Sequence, residues 1–150
     1  MFTQIVSKKY LRTLVALHAV LAFGQLLFLA IALIGKNGHS VEQSQADTNR
    51  MLLLMALLMV AGSIAGGVYM HKRKVLEIRM NNNLRQKLDE YTISLIIRFA
   101  LMEVASIFCI VGYLLSSHYL FVFFTLVVLV FFVVVRPTKG NVLRDLDLIV

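Results

Sequence analysis

Four apolar runs dominate the chain, and polar or charged residues separate them. A membrane-spanning helix takes roughly 20 mostly apolar residues, within about 17–25. The runs fall at 13–34, 51–70, 92–115 and 119–135, and each fits that length. Lys8, Lys9 and Arg12 precede the first, His71-Lys72-Arg73-Lys74 closes the second, and Arg136-Pro137 closes the fourth. The fourth run is rich in Val and Phe, which favour strands in water. In lipid an isolated strand leaves its backbone unpaired, so a helix is expected there too. Ala30-Ile31-Ala32 imitates a signal-peptide cleavage site. The run before it exceeds the roughly 7–15 apolar residues of a signal peptide, so a retained span is expected.

The pattern therefore predicts an all-α integral membrane protein. A single domain covers 1–150, with four transmembrane helices forming two antiparallel hairpins. The segment 71–91 continues both neighbouring helices. Val75, Leu76, Ile78 and Met80 are apolar between charges, Asn81-Asn82-Asn83 marks the turn, and Leu84 and Leu88 are placed to pack back on the first arm. The short Ser116-Ser117-His118 turn makes the last two spans antiparallel neighbours. The tail, 136–150, reads as a short C-terminal amphipathic helix capped by Asn141. Val142, Leu143, Leu146 and Ile149 form its apolar face, and Arg144, Asp145 and Asp147 lie mainly on the other. Its simplest role is to lie on the inner membrane surface. Docking onto the 71–91 loop is the alternative.

Charge fixes the expected orientation. Lys and Arg number three before span one, six in the 71–91 loop and three in the tail, against two, Lys36 and Arg50, on the other side. Twelve against two places both termini and that loop in the cytoplasm, N-in and C-in, by the positive-inside rule. The expected location is a bacterial inner membrane. The composition agrees: 59% of residues are apolar and 15% charged, and mean hydropathy is +0.82. Such values exclude an ordinary soluble globule and a disordered chain. A net charge of +7 would suggest nucleic acid in a soluble protein. Here the basic residues end apolar runs, so topology and anionic lipid head groups explain them and no nucleic-acid partner is expected. Lys72, Arg73, Lys74 and Arg79 are the candidate residues for lipid contact or docking of a partner.

Few residues could carry chemistry. Glu103 lies near the middle of span three, where an ionised group costs at least ~2.5–3.5 kcal/mol. A protonatable carboxyl at that depth suits a proton or cation carrier, or a hydrogen bond that stabilises the bundle. Gln25 and His18, seven residues apart in span one, share a face and could serve Glu103, with Ser106 the remaining ion-binding candidate. Arg98 lies about 140° round the helix from Glu103 and is expected to snorkel. Ala61, Gly62, Ala65 and Gly66 make a small-residue, GxxxG-type face in span two, suited to close helix packing within the bundle or between chains. Cys109 stands alone, so no intrachain disulfide forms. His39, His71 and His118 are scattered over both sides and make no metal site. Phosphate-loop, zinc-hydrolase, nucleophile-elbow and paired-cysteine motifs are missing. No enzyme activity, cofactor or metal is expected.

Two resemblances bear on these readings. LIIRFALMEVASIFCIVGYLL, residues 95–115, and RPTKGNVLRDLDL, residues 136–148, resemble a family of small, uncharacterised bacterial four-helix membrane proteins. That likeness implies architecture rather than mechanism. Residues 51–115 also resemble, more weakly, the helical hairpin of rotary ATP synthase proteolipid subunits. The matching features are small residues in span two, Arg85-Gln86 in a basic loop, and Ala100–Phe108 around Glu103. The resemblance implies that Glu103 binds the translocated ion. Span two lacks that family's regular alternating glycines, Lys87 stands where proline would be expected, and two extra spans are present. The expected function is therefore a non-enzymatic structural, assembly or partner subunit, binding a membrane protein or a second copy. The alternative is a proton- or cation-translocating subunit using Glu103.

Overall fold

The computed structural model describes residues 2–36, 46–80 and 83–145. Among them the chain is an all-α membrane protein: α1 Phe2–Lys36, α2 Ala46–Arg79, α3 Leu84–Ser116, α4 Tyr119–Val134 and α5 Lys139–Asp145. Leu11–Gly35, Asn49–Arg79 and Arg85–Ser116 are each long and apolar enough to cross a membrane. α4, an apolar helix of 16 residues, is shorter. α2 and α3 outlast their apolar segments. At 1.5 Å per residue the 34 residues of α2 reach about 50 Å, against roughly 30 Å of hydrocarbon.

α3 is the central helix, touching α1, α2 and α4. Tyr91, Leu95, Phe99, Met102, Ala105, Cys109, Ile110 and Tyr113 form its buried stripe. Facing residues include Leu14 and Leu29 of α1, Ala56 and Val60 of α2, and Phe121, Val128 and Phe132 of α4. Large apolar side chains such as Phe23, Leu58, Val104 and Val130 point outward. Lipid is as apolar as those side chains, so association rests on close packing and polar ties rather than on a hydrophobic gain.

Two close approaches set the register. At Gly67 a Cβ would lie 3.2 Å from Cγ of Arg98, so the missing side chain makes room for the arginine stem. His71 Nδ1 and Ser94 Oγ are 2.7 Å apart one turn further along. Both pairs obey one antiparallel register between α2 and α3. At Gly112 a Cβ would lie 2.6 Å from the Phe121 ring, where α4 crosses α3 just beyond the turn. Ser117 closes that turn at φ 60°, and its N–H donates to the Tyr113 carbonyl at 2.9 Å. His118 caps α4 by accepting from the Leu120 N–H.

The tail departs from two expectations. Thr138, not Asn141, caps α5: its Oγ1 accepts from the Asn141 N–H and its carbonyl from the Val142 N–H. A hydroxyl one residue before the helix meets the orphan donors, whereas Asn141 is already inside it. α5 docks on the 71–91 segment, the second of its two expected roles, through Arg79 and Tyr91. Val142 is buried, and Asp145, expected on the polar face, turns inward to α2 and α3. Asn81, Asn82, Leu146, Asp147 and Ile149 lie outside the described residues. Asn83 caps α3 by accepting from the Arg85 N–H, and Leu88 packs against the core.

Candidate functional site

The intramembrane polar residues do not form one chain of hydrogen bonds. Glu103 is partly buried on α3, and no hydrogen bond or ion pair from the described residues reaches it. Gln25 is 2% exposed, yet neither its Nε2 nor its Oε1 has a partner, so the expected Gln25–Glu103 bond is not made. Ser106 is fully buried with its Oγ also unpaired. The hydroxyls of Ser63 and Thr125 turn back to the carbonyls of Val60 and Phe121.

His18 has a different task from the one its spacing suggested. Pro137 has no N–H, and the Arg136 N–H bonds Val133 rather than Phe132. The Phe132 carbonyl is thus left over at the end of α4. His18 Nε2–H donates to it at 2.8 Å, while the ring stacks on Phe132 with centroids 4.5 Å apart. A second contact, edge-on to Phe99 at 5.2 Å, completes a tie of α1 to α3 and α4. His18 therefore acts here as a packing residue, with its ring nitrogen on the Phe132 carbonyl.

Among the described residues nothing packs closely on the small-residue face of α2. Ala61, Gly62 and Ala65 are exposed, Gly66 is partly so, and a Cβ at Gly62 or Gly66 would meet nothing within 4 Å. The internal close approach falls on Gly67 instead, because the register to α3 brings the Arg98 stem there. Extending that register puts Glu103 level with Gly62.

A denser polar group lies at the other end of the apolar region, here termed the basic end. His71 Nε2 stands 3.7 Å from Asp145 Oδ2, which also accepts from the Tyr91 hydroxyl at 3.2 Å. Arg79 Nε donates to the Asp145 carbonyl at 3.0 Å. The end of α5 is thereby held on α2 and α3 together. Beside this clasp a cavity of about 310 Å³ opens, with Arg98, Arg136, Lys72 and Asn141 also on its wall. Arg98 does not pair with Glu103. It points to the basic end with Nε buried and without a hydrogen-bond partner. A second cavity of about 240 Å³ lies across α2, lined by Arg73, Lys74, Glu77 and Ser94.

Of the basic residues named from sequence, Lys74 donates to Glu77 at 2.9 Å, and Arg73 stands 3.8 Å from the same carboxylate. Both are well exposed, so these pairs add little stability. Arg79 holds the tail and Lys72 faces the larger cavity. The clasp of His71, Tyr91, Ser94 and Asp145 was not visible in the pattern, because the other three lie 20 to 74 residues beyond His71 along the chain. One clue was available: His71 and Ser94 are equally distant in sequence from the 82–83 position of the Asn81-Asn82-Asn83 run. Among the described residues no group of three or more His, Cys, Asp or Glu is placed to hold a metal. Compared with known protein families, with curated proteins and with solved structures, the chain finds no match.

Proposed function

We propose that the chain is a four-span inner-membrane protein with both termini and the 71–91 segment in the cytoplasm. In this reading it serves as a non-enzymatic partner subunit that receives a transmembrane helix on the mid-depth face of α2 and α3. One observation carries the reading: Glu103, without a hydrogen bond from the described residues, is level with the exposed Ala61, Gly62 and Ala65. A carboxyl in hydrocarbon needs a donor. Small residues let a second backbone come close enough to bring one. The orientation draws support from twelve basic residues against two, and from the gathering of Lys72, Arg98 and Arg136 at one end. On this topology the basic end faces anionic head groups at the cytoplasmic surface.

A photo-reactive residue at Gly62 should give one discrete cross-linked product in native membranes, weakened by Glu103→Leu. A product at twice the chain's mass identifies a second copy. No product at Gly62 overturns the partner role. Orientation is tested separately: Ser117→Cys should label from outside intact cells and Glu77→Cys only after permeabilisation, over a low background because Cys109 is buried. The competing carrier role needs a polar route to Glu103, and neither basic-end cavity is lined by it. Proton or cation flux through the purified chain in vesicles, abolished by Glu103→Gln, would replace the partner reading with that one.

A further inference from the structure

The larger basic-end cavity has features that the partner role does not use. We propose that it binds a phosphate group, with Arg98 and Arg136 as the principal ligands and Lys72 as the third cation. Arg98 comes from α3, Lys72 and His71 from α2, and Arg136 from the turn after α4, so three separate helices converge on one space of about 310 Å³. Three fixed positive charges face a single carboxylate, Asp145, and that carboxylate already accepts from Tyr91. The site is therefore electropositive, and its counter-charge is held to one side.

The state of Arg98 makes the strongest point. Its stem is locked into the slot at Gly67, and its Nε is buried with no hydrogen-bond partner. A buried donor on a charged group is costly unless something accepts from it. Arg98 nevertheless lines the cavity, and a guanidinium brought there by a stem packed at Gly67 is placed to meet an oxyanion. Phosphate suits the arrangement better than carboxylate. Its oxygens sit on a tetrahedral centre, so a free phosphate, or a phosphodiester through its two anionic oxygens and the ester oxygens beside them, can face cations arriving from three directions, whereas a carboxylate is planar. Asn141 on the α5 side adds an amide donor.

The same chemistry has two sources, a phospholipid head group and a free phosphate. Below the cations the wall is apolar, formed by Val68, Phe131 and Val134, and Val134 is 72% exposed. A phosphodiester among the cations, with acyl chains running down that wall, would satisfy both parts. The lipid source rests on the proposed topology, which puts this end at a membrane surface. Free phosphate does not depend on it, and the cysteine-labelling test above reads the topology independently.

The experiment uses the purified full chain in a neutral detergent, titrated with phosphatidylglycerol, with phosphatidylcholine as the zwitterionic control, or with inorganic phosphate. Binding is counted by native mass spectrometry. Thermal unfolding is read by a thiol-reactive dye at Cys109, which is fully buried until the bundle opens. Phosphatidylglycerol binding and stabilisation, weakened about ten- to a hundredfold by Arg136→Gln or Arg98→Gln, is the expected result. Arg85→Gln, an exposed cation that lines neither cavity, should leave the affinity unchanged. Arg136 is exposed, so its variant decides the matter even if Arg98→Gln fails to fold. A response to phosphatidylglycerol but not to inorganic phosphate assigns a lipid. The converse assigns a soluble phosphate, and responses to both establish a general phosphate site. No response to either, or an equal response in Arg136→Gln, overturns the proposal.

Discussion

The α3–α4 hairpin turns on a single missing side chain, and replacing it should be costly in a way the helix itself would not predict. A Cβ at Gly112 would lie 2.6 and 2.7 Å from two carbons of the Phe121 ring and 3.1 Å from a third. Ordinary carbon contacts lie near 3.5–4.0 Å, so ring and helix must separate by about 1 Å. Phe121 is fully buried, leaving the ring no open side to swing into. Overpacking of this kind costs about 1–3 kcal/mol. Working against it, alanine gains about 1 kcal/mol over glycine within a helix. Gly24, where a Cβ meets nothing within 4 Å, supplies the control for that gain. Gly24→Ala should be neutral or stabilising, and Gly112→Ala should fall below it by the full overpacking cost, or roughly 2–12 °C in Tm. Thermal unfolding of the purified variants, read at Cys109, measures both. Phe121→Leu in the Gly112→Ala background should recover part of the loss, giving a favourable coupling of about 1 kcal/mol or more. Equal stability of Gly112→Ala and Gly24→Ala, or no coupling to Phe121, would refute the close approach.

Three further outcomes follow from buried polar groups. Gln25→Leu removes an amide with two unpaired atoms at similar volume, so stability should hold or rise by up to about 1–3 kcal/mol. A loss in a Tm measurement would reveal a partner for that amide. His18→Phe keeps a ring against Phe132 but orphans the Phe132 carbonyl, and should lower stability by about 1–3 kcal/mol. An unchanged Tm would show that His18 serves only as an aromatic filler. Asp145→Ala removes the acceptor for Tyr91 and should speed amide exchange at Val142, with Tyr91→Phe acting in the same direction but less. Exchange at the wild-type rate in both variants would separate the tail's docking from this bond.

The apolar runs were legible because lipid imposes a length and a helix on them, whatever their propensity. The fourth run shows this best, since its Val and Phe residues would argue for a strand in water yet form α4. What periodicity could not convey is which helix covers which face. A small-residue stripe states only that an approach is possible, and here the approach inside the chain falls at Gly67, outside the Gly62–Gly66 motif. The tail failed for a related reason. Asp145 looks like a solvent-facing charge on an amphipathic helix until Tyr91 and Arg79, from other helices, meet it. Glu103 was legible as an exception by chemistry alone. That His18 would serve the end of α4 depended on where Pro137 interrupts the hydrogen-bond ladder.

The uninterrupted length of α2 turns it into a lever. Arg79 lies nine residues beyond Met70, where the apolar segment ends, or about 13 Å along the axis. Helices tilt to match the thickness of the bilayer around them. A change of about 10° in the tilt of α2 relative to α5 would displace Arg79 by roughly 2 Å, given the rise of a rigid helix. That displacement must be taken up by the Arg79 side chain for its 3.0 Å bond to the Asp145 carbonyl to persist. The grip on the tail therefore depends on the angle between α2 and α5.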